Sequence, residues 1–463
     1  MALKKNNEGL SKIFIIGIFV IIALILGGVV WTLIGPGKVT PPKDATLTIW
    51  GVWDESSDLS GMINAYRKVH PYVKIKYVKI RYDEYEDMLL NAWATDTGPD
   101  IYALPNSWIA KYKDNFITPM PKSTSVAYYS SKKTLFKTET IIEYKTESSY
   151  TAGQIDDYYI DVVYDDVVFN NYIYALPFGI NTLVMYVNRE LMNQALLIDP
   201  PTTWDEFTSI TSRFALIDAQ NNIVRAAAAL GTYENVPHAA DIVTLLMLQN
   251  GTQMTSGNKV TFHQSSTSDS SYYPGTVALD YYTSFADSTK RTYTWNSDMP
   301  DAIDYFADGK LAFLFAYNYD RPEIESKASG VDFEIAPIPQ VDPNNTINYA
   351  NYWAYTVSKK SKNSNIAWNF LRYSSYASRV EPYLANTKQA SVLQSTLKTQ
   401  LDSEDNELKI FAQQALTAQS WYHGQSPKEA EDIFKEMIQG IVEDQLNVAS
   451  QLRAAAEEIQ SQY

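Results

Sequence analysis

The spacing of apolar and polar residues along this chain changes period repeatedly, from strand-like to helix-like and back. Residues 47–50 (L-T-I-W) and 73–80 read as strands, and a helix over 57–70 between them ends at His70-Pro71. Asp83 and Glu86 form a capping-box pattern for a helix running to Thr95, and Gly98-Pro99 turns the chain into a strand at 100–104. The result is β-α-β-α-β with short links, the pattern of a parallel sheet with helices on its faces.

Residues 121–170 interrupt that order. They are rich in Ser, Thr, Tyr and Lys, turn acidic from Asp156 to Asp166, and show little helical period. They are expected to be an insertion on the first half of the chain with a flexible surface; direct ligand contact is the alternative. Order resumes at 174–191, Y-A-L-P-F-G-I-N-T-L-V-M-Y-V-N-R-E-L, followed by D-P-P-T-T-W-D-E-F at 199–207. Two β-rich runs, 174–177 and 183–187, are separated by Gly179 and Asn181, so the chain reaches one sheet, bends and enters another strand. Pro200-Pro201 forbids helix, Thr203 with Glu206 starts one, and Trp204 and Phe207 supply its apolar side.

Further on, Asp298-Met299-Pro300 predicts a helix start, Gly309 its end, and 311–315 a buried strand. Residues 333–339 predict a strand ending in proline at a second crossing, after which 352–357 and a helix over 364–376 return to the first half. Met247 and its leucine neighbours are expected core. Over 427–460 an amphipathic helix or helix pair places Phe434, Met437, Ile438, Ile441 and Leu452 on one face. No heptad persists over three repeats, so packing onto the second half is expected in place of a coiled coil.

The ends and the composition narrow the setting. Residues 13–34 are 22 uncharged positions, spanning roughly 33 Å as a helix, enough for a bilayer core. Lys4, Lys5 and Lys12 precede them, which predicts residues 1–12 inside and the remainder outside. A cleaved signal peptide is the alternative, but the apolar run is long and ends in Trp31-Thr32-Leu33-Ile34. Residues 35–44, with Gly35-Pro36-Gly37 and Pro41-Pro42, form a tether. About 420 residues follow, too many for one core and suited to two lobes. The net charge is −15, and residues 1–40 hold four lysines against one glutamate, so the outer part is near −18. That opposes nucleic acid and anionic lipid. Cysteine is absent, which removes disulfides, thiolate zinc sites and thiol catalysis. The 34 tyrosines and 10 tryptophans are mostly packing material but also supply flat amphipathic platforms for a ligand.

The segment at 174–207 resembles the extracytoplasmic solute-binding proteins of ABC importers, in particular the sugar-binding family that includes the maltodextrin-binding proteins. Supporting motifs are L-T-I-W, G-P-D-I-Y at 98–102, F-A-D-G-K-L-A-F at 306–313, I-A-P-I-P at 335–339, and S-K-K-S-K-N…A-W-N-F-L over 358–371. The resemblance covers nearly all of 45–463 in element order. It implies an α/β, two-lobed periplasmic-binding-protein-like fold of type II behind the N-terminal transmembrane helix. Lobe 1 would be 45–179 and 340–395, with 121–170 inserted, and lobe 2 would be 180–339 and 396–463. Many members of the family are anchored through a lipid-bearing cysteine; this chain has none, so the transmembrane helix would do the anchoring.

Catalytic signatures are missing. His70, His238, His263 and His423 are scattered without H-E-x-x-H, and no G-x-x-x-x-G-K-[ST], G-x-G-x-x-G or G-x-S-x-G occurs. Asp301 and Asp304 sit three apart on a predicted helix and read as a solvated face before an acid-base pair. Asp54-Glu55 would suit a glycosidase carboxylate, but no partner at about 5–10 Å is named by sequence.

A sugar site needs aromatic planes and a few polar groups just past strand ends, where open α/β sheets bind ligands. Trp53 and Asp54 follow the first strand, where the family places a hydroxyl-binding residue. Trp108 and Trp421 match family stacking positions, and Tyr319 stands where the family usually has tryptophan. Tyr317, Asn351 and Trp353 are weaker candidates, each also suited to core or hinge. The resemblance thus implies stacking by Trp53, Trp108, Tyr319 and Trp421, with Asp54 accepting from hydroxyls. No cofactor, metal or covalent chemistry is expected; the partners are a carbohydrate and membrane permease subunits, with a monomer as the default. A surface sensor or adhesin on the same fold and a membrane-anchored glycoside hydrolase are the alternatives. A peptide, polyamine or phosphorylated ligand also stays open, the anionic one less favoured because few basic residues lie near the candidates, Lys111 and Arg321 being the nearest in sequence.

Overall fold

In the computed structural model, which describes residues 40–133, 137–220 and 222–462, the first sheet has the strand order Val73–Lys79, Ala45–Gly51, Ile101–Pro105, Trp353–Val357, Leu176–Pro177. The first three strands are parallel, and Trp353–Val357 runs antiparallel to both of its neighbours. Ile101–Pro105 is buried at all five positions, as a central strand covered on both faces must be. The helix Ser56–Val69 follows the first strand and buries Leu59, Met62 and Tyr66, one stripe at helical spacing.

The next helix, Tyr82–Ala94, corrects one expectation. Asp83 and Glu86 do not cap it. Arg81 occupies the cap, and Asp83 in the first turn pairs with the Arg81 guanidinium at 2.6 Å. Glu86 faces the other way and takes Lys111 at 2.7 Å.

The second sheet runs Leu216–Ile217, Ile223–Ala228, Leu311–Ala316, Val184–Asn188, Phe333–Ala336. Leu311–Ala316 and Val184–Asn188 are buried throughout and antiparallel to each other. Behind them the Thr203 capping box holds: Thr203 Oγ1 accepts from the Glu206 amide at 3.2 Å, and Trp204 and Phe207 are buried. The helix expected from Asp298 begins instead at Ala302. Asp301 is its cap and accepts from the Ile303 amide at 2.9 Å, while Asp304 pairs with Lys327 at 2.7 Å.

Two connections join the sheets and are tied to each other. The first passes through Gly179–Ile180, which pairs with Ala390–Ser391; the second passes through Asn348–Tyr349, which pairs with Ala418–Gln419. A single bridge between Thr182 and Ala350 links the two. The C-terminal stretch is a helix pair, Pro427–Val442 and Val448–Ser461, packed with Ala239–Gln249 and Pro274–Thr283 of the second sheet's half.

Residues 121–170 are more ordered than their composition suggests. Ser123–Lys133 and Thr138–Ser148 form a two-stranded hairpin, and Ala152–Tyr158 and Asp161–Val167 are helices. Ile155, Val162, Val163 and Val167 face inward, and Asp166 is buried. Acidic residues on the outer faces of two short helices masked the period. The outer hairpin, Ala127–Tyr144, belongs to a separate unit that includes Thr40–Lys43; there the Tyr144 hydroxyl donates to the Thr40 carbonyl at 3.4 Å. The apolar run at 13–34 lies outside the described residues, among which no helix is long and apolar enough to cross a membrane.

Candidate functional site

Ala45–Gly51 ends at the carboxyl edge of the first sheet, and Val52, Trp53 and Asp54 form the loop that follows. The Trp53 ring is partly exposed and stacks on Tyr82 at 5.8 Å and on Tyr319 at 4.8 Å; Trp353 meets it edge-on at 6.4 Å. Asp54 lies beneath. Its carboxylate accepts from the Tyr383 hydroxyl at 2.9 Å and from Tyr355, while the Tyr77 hydroxyl donates to its main-chain carbonyl at 2.8 Å. Burial raises the Asp54 carboxyl above the ordinary carboxylate range, and the two tyrosine hydroxyls offset part of that rise. Glu55 is taken up elsewhere, in an ion pair with Lys79 at 2.5 Å.

From the second sheet, Leu311–Ala316 delivers Tyr317 and Tyr319. Tyr317 is fully buried, and its amide donates to Asp320 Oδ2 at 2.8 Å, closing the turn Asn318–Asp320 that presents Tyr319. The two phenol rings stack at 5.0 Å. Tyr82, Trp53, Tyr319 and Tyr317 therefore form one pile of rings that starts on the first sheet and ends on the second. At its far end the Tyr317 hydroxyl donates to Asp241 Oδ2 at 2.7 Å, and Asn351 Nδ2 donates to the same oxygen at 3.0 Å. His238 Nε2 lies 2.7 Å from Asp320 Oδ2. Burial alone would lower the His238 pKa, but Asp320 together with Asp241 and Glu431 outweighs it and the net shift is upward.

Two small cavities flank this pile. One of about 30 Å³ is lined by Trp53, Asp54, Asn181, Tyr319, Trp353, Tyr355, Tyr383 and Gln389. The other, about 50 Å³, is lined by residues including Asn106, Asp241, Tyr349, Asn351, Trp421 and Glu431. Glu431 is accessible to solvent yet crowded by the cleft walls. That crowding, with Asp241, raises its carboxyl to about 7. Its accessible surface keeps it hydrated, so the crowding counts for less than it would in a sealed core. Larger depressions, about 550 Å³ beside Asp280 and Leu446 and about 510 Å³ beside Pro200 and Pro337, are lined without a single aromatic ring.

Of the residues singled out in the sequence, Trp53, Asp54, Tyr317, Tyr319 and Trp353 come together around the ring pile. Trp421 lines the second cavity but is buried against Phe262 and Phe434, both at 5.9 Å. Trp108 lines neither cavity. It is half-buried at the end of the turn Asn106–Trp108, edge-on to Tyr112 at 6.2 Å with Lys111 5.8 Å from its ring. Lys111 and Arg321 are both committed, to Glu86 and to Glu325 and Glu407. Sequence reasoning missed Tyr82, Tyr355, Tyr383, Asp241 and Glu431. Nothing local marks them, because Tyr383 and Asp54 are 329 positions apart. Asn181 sat inside the hinge motif and was the one signal available.

Strand ends of two mixed α/β sheets, joined by paired connections and facing each other through aromatic rings and carboxylates, define a binding protein of the periplasmic type. The chain belongs to the bacterial extracellular solute-binding protein family, whose sequence model matches residues 61–408. A search of curated proteins returns no match. Among solved structures the fold is similar to the cyclic α-maltosyl-1,6-maltose binding protein of Arthrobacter globiformis, at TM-score 0.69 and 16% identity, over 90% of this chain and 98% of that one. It is also similar to an ABC transporter solute-binding protein of Thermotoga lettingae bound to α-D-tagatose, at TM-score 0.66 and 17% identity, over 90% and 99%. UgpB of Mycobacterium tuberculosis in complex with glycerophosphocholine matches at TM-score 0.67 and 16% identity, over 91% and 98%. At these identities the likeness establishes the fold.

Proposed function

We propose that this chain is the substrate-binding component of an ABC importer and closes two lobes, 45–179 with 340–395 and 180–339 with 396–463, over a carbohydrate. The observation that carries the reading is the Trp53–Tyr319 pair: two ring planes, one from each sheet, with the Asp54 carboxylate beside them. Sugar rings offer apolar faces to such planes and hydroxyls to such a carboxylate. At 4.8 Å the two rings touch each other, and a pyranose between them needs about 7–8 Å, two van der Waals contacts in sequence. Binding on that line opens the lobes by about 3 Å at this point and closure completes the contacts, a hinge motion at the paired connections. No bond is made or broken. The apolar segment at 13–34 would hold the binding domain at the outer face of the membrane, near the permease.

The test is thermal unfolding of the chain against mono- and oligosaccharides, with amino acids and short peptides alongside. A ligand at 100 times its Kd stabilises the folded state by about 2.7 kcal/mol. A shift with one class of sugar is the expected result. A shift with peptides alone would overturn the carbohydrate assignment.

A further inference from the structure

Asn181 is 5% exposed, and among the described residues no group donates to its Oδ1. A buried carbonyl oxygen without a donor costs on the order of 1–3 kcal/mol, and this one belongs to a residue lining the 30 Å³ cavity beside Asp54. The hydroxyls that could have served it are occupied, since Tyr355 and Tyr383 both donate to Asp54. An ionised carboxylate has about four acceptor positions and these two bonds fill only two. The lining thus holds unfilled acceptor positions on Asp54 and Asn181 Oδ1, beside the carboxamide N–H groups of Asn181 and Gln389. The cavity's volume admits one or two water-sized groups.

We propose that this cavity takes the protonated amine of an amino sugar, an inference that rests on the carbohydrate reading above and specifies its ligand. An ammonium brings three donors and needs no acceptor, whereas a hydroxyl brings one donor and asks for one in return. Of the two indoles lining the cavity, Trp53 has its faces taken by Tyr82 and Tyr319, which leaves Trp353 as the ring against which a desolvated ammonium is favoured. Among the described residues Lys79 is the basic group beside the site: it donates to the Trp53 carbonyl at 3.2 Å and pairs with Glu55, while the Asp54 carboxylate takes its two side-chain donors from Tyr355 and Tyr383. Burial holds the Asp54 carboxyl above its usual range in the absence of a cation, and an ammonium within about 4 Å reverses that penalty.

Calorimetric titration of the full chain in detergent micelles tests this with four ligand sets: neutral gluco-oligosaccharides, the corresponding glucosamine oligosaccharides, their N-acetylated forms, and putrescine with spermidine. The expected result is glucosamine oligosaccharides bound about 10- to 100-fold more tightly than either the neutral or the N-acetylated series, the worth of one charge-assisted hydrogen-bond set. That comparison needs no mutation. In Asp54→Asn the ratio of amino to neutral affinity should fall to about 1. Neutral sugars bound as tightly as amino sugars would overturn the amine assignment and leave the carbohydrate reading standing. Polyamines bound without any sugar would overturn the carbohydrate reading and keep the amine cavity. Silence in all four sets would overturn both.

Discussion

The indole of Trp53 lies nearly parallel to the phenol ring of Tyr319, with centroids 4.8 Å apart and planes inclined by 16°, although the two follow strands of different sheets. Trp53 is held from its own side by Tyr82 and Trp353, and Tyr319 from its side by Tyr317. Each ring is thus preset by neighbours within its own half, and the contact between them is the one that a ligand would replace.

Trp53→Ala removes the first-sheet plane. Because that ring is 37% exposed yet meets Tyr82, Tyr319 and Trp353, folding stability should fall by about 1–3 kcal/mol, while affinity for the carbohydrate found by screening should fall about 10- to 100-fold. A binding isotherm matching that of the parent chain would remove Trp53 from the site.

Asp166 is fully buried and accepts from Asn106 Nδ2 at 2.9 Å, the Tyr352 hydroxyl at 2.8 Å, Ser420 Oγ at 2.5 Å and His423 Nε2 at 2.8 Å. It thereby joins four segments distant in sequence. Asp166→Ala leaves the buried Asn106 and Tyr352 and the half-buried Ser420 and His423 without their acceptor and should cost about 3–5 kcal/mol in chemical denaturation. A loss below about 1 kcal/mol would show that the hub is not a structural one.

The histidines set a pH dependence. Burial would lower His238 and His423, yet Asp320 with Asp241 and Glu431 at the first, and Asp166 with Asp165 at the second, outweigh it and both are raised above 6.5. The folded chain therefore holds these protons more tightly than the unfolded one. Their contribution to stability is fully present below about pH 6.5 and is lost as pH rises through the folded values. The melting temperature should fall across that range, and a His238→Gln, His423→Gln variant should show a flatter curve. An identical slope in the variant would assign the dependence to other groups.

Gly179 lies in the first connection, and a Cβ there would meet Gln389 Oε1 at 2.2 Å and Gln389 Cβ at 3.0 Å. Gln389 is a flexible side chain lining the Asp54 cavity, so Gly179→Ala should turn it and narrow the cavity. We expect weakened ligand binding with stability changed by about 1 kcal/mol. Unchanged affinity would show that Gln389 swings away from the site.

Much of the architecture was legible in the chain because it rests on local period. The strands at 45–51, 73–79, 101–105 and 311–316, the Thr203 capping box and the C-terminal helix pair follow from apolar spacing and caps within a few residues. Absent cysteine and strong negative charge likewise narrowed the chemistry without any coordinates. Tertiary structure alone decided the rest. The two helices at 152–167 were hidden because their outer faces are acidic and their apolar stripes are a single turn long. Asp83 reads as a cap by pattern, but Arg81 occupies the cap and Asp83 lies in the first turn. Tyr355, Tyr383 and Asn181 surround Asp54 through contacts spanning as many as 329 positions, which no local period records. Trp421 and Trp108 look equivalent to Trp53 along the chain, yet one is packed against phenylalanines and another lies beside a lysine. Residue type determines what a ring can bind, and only the packing of distant segments determines which ring a ligand can reach.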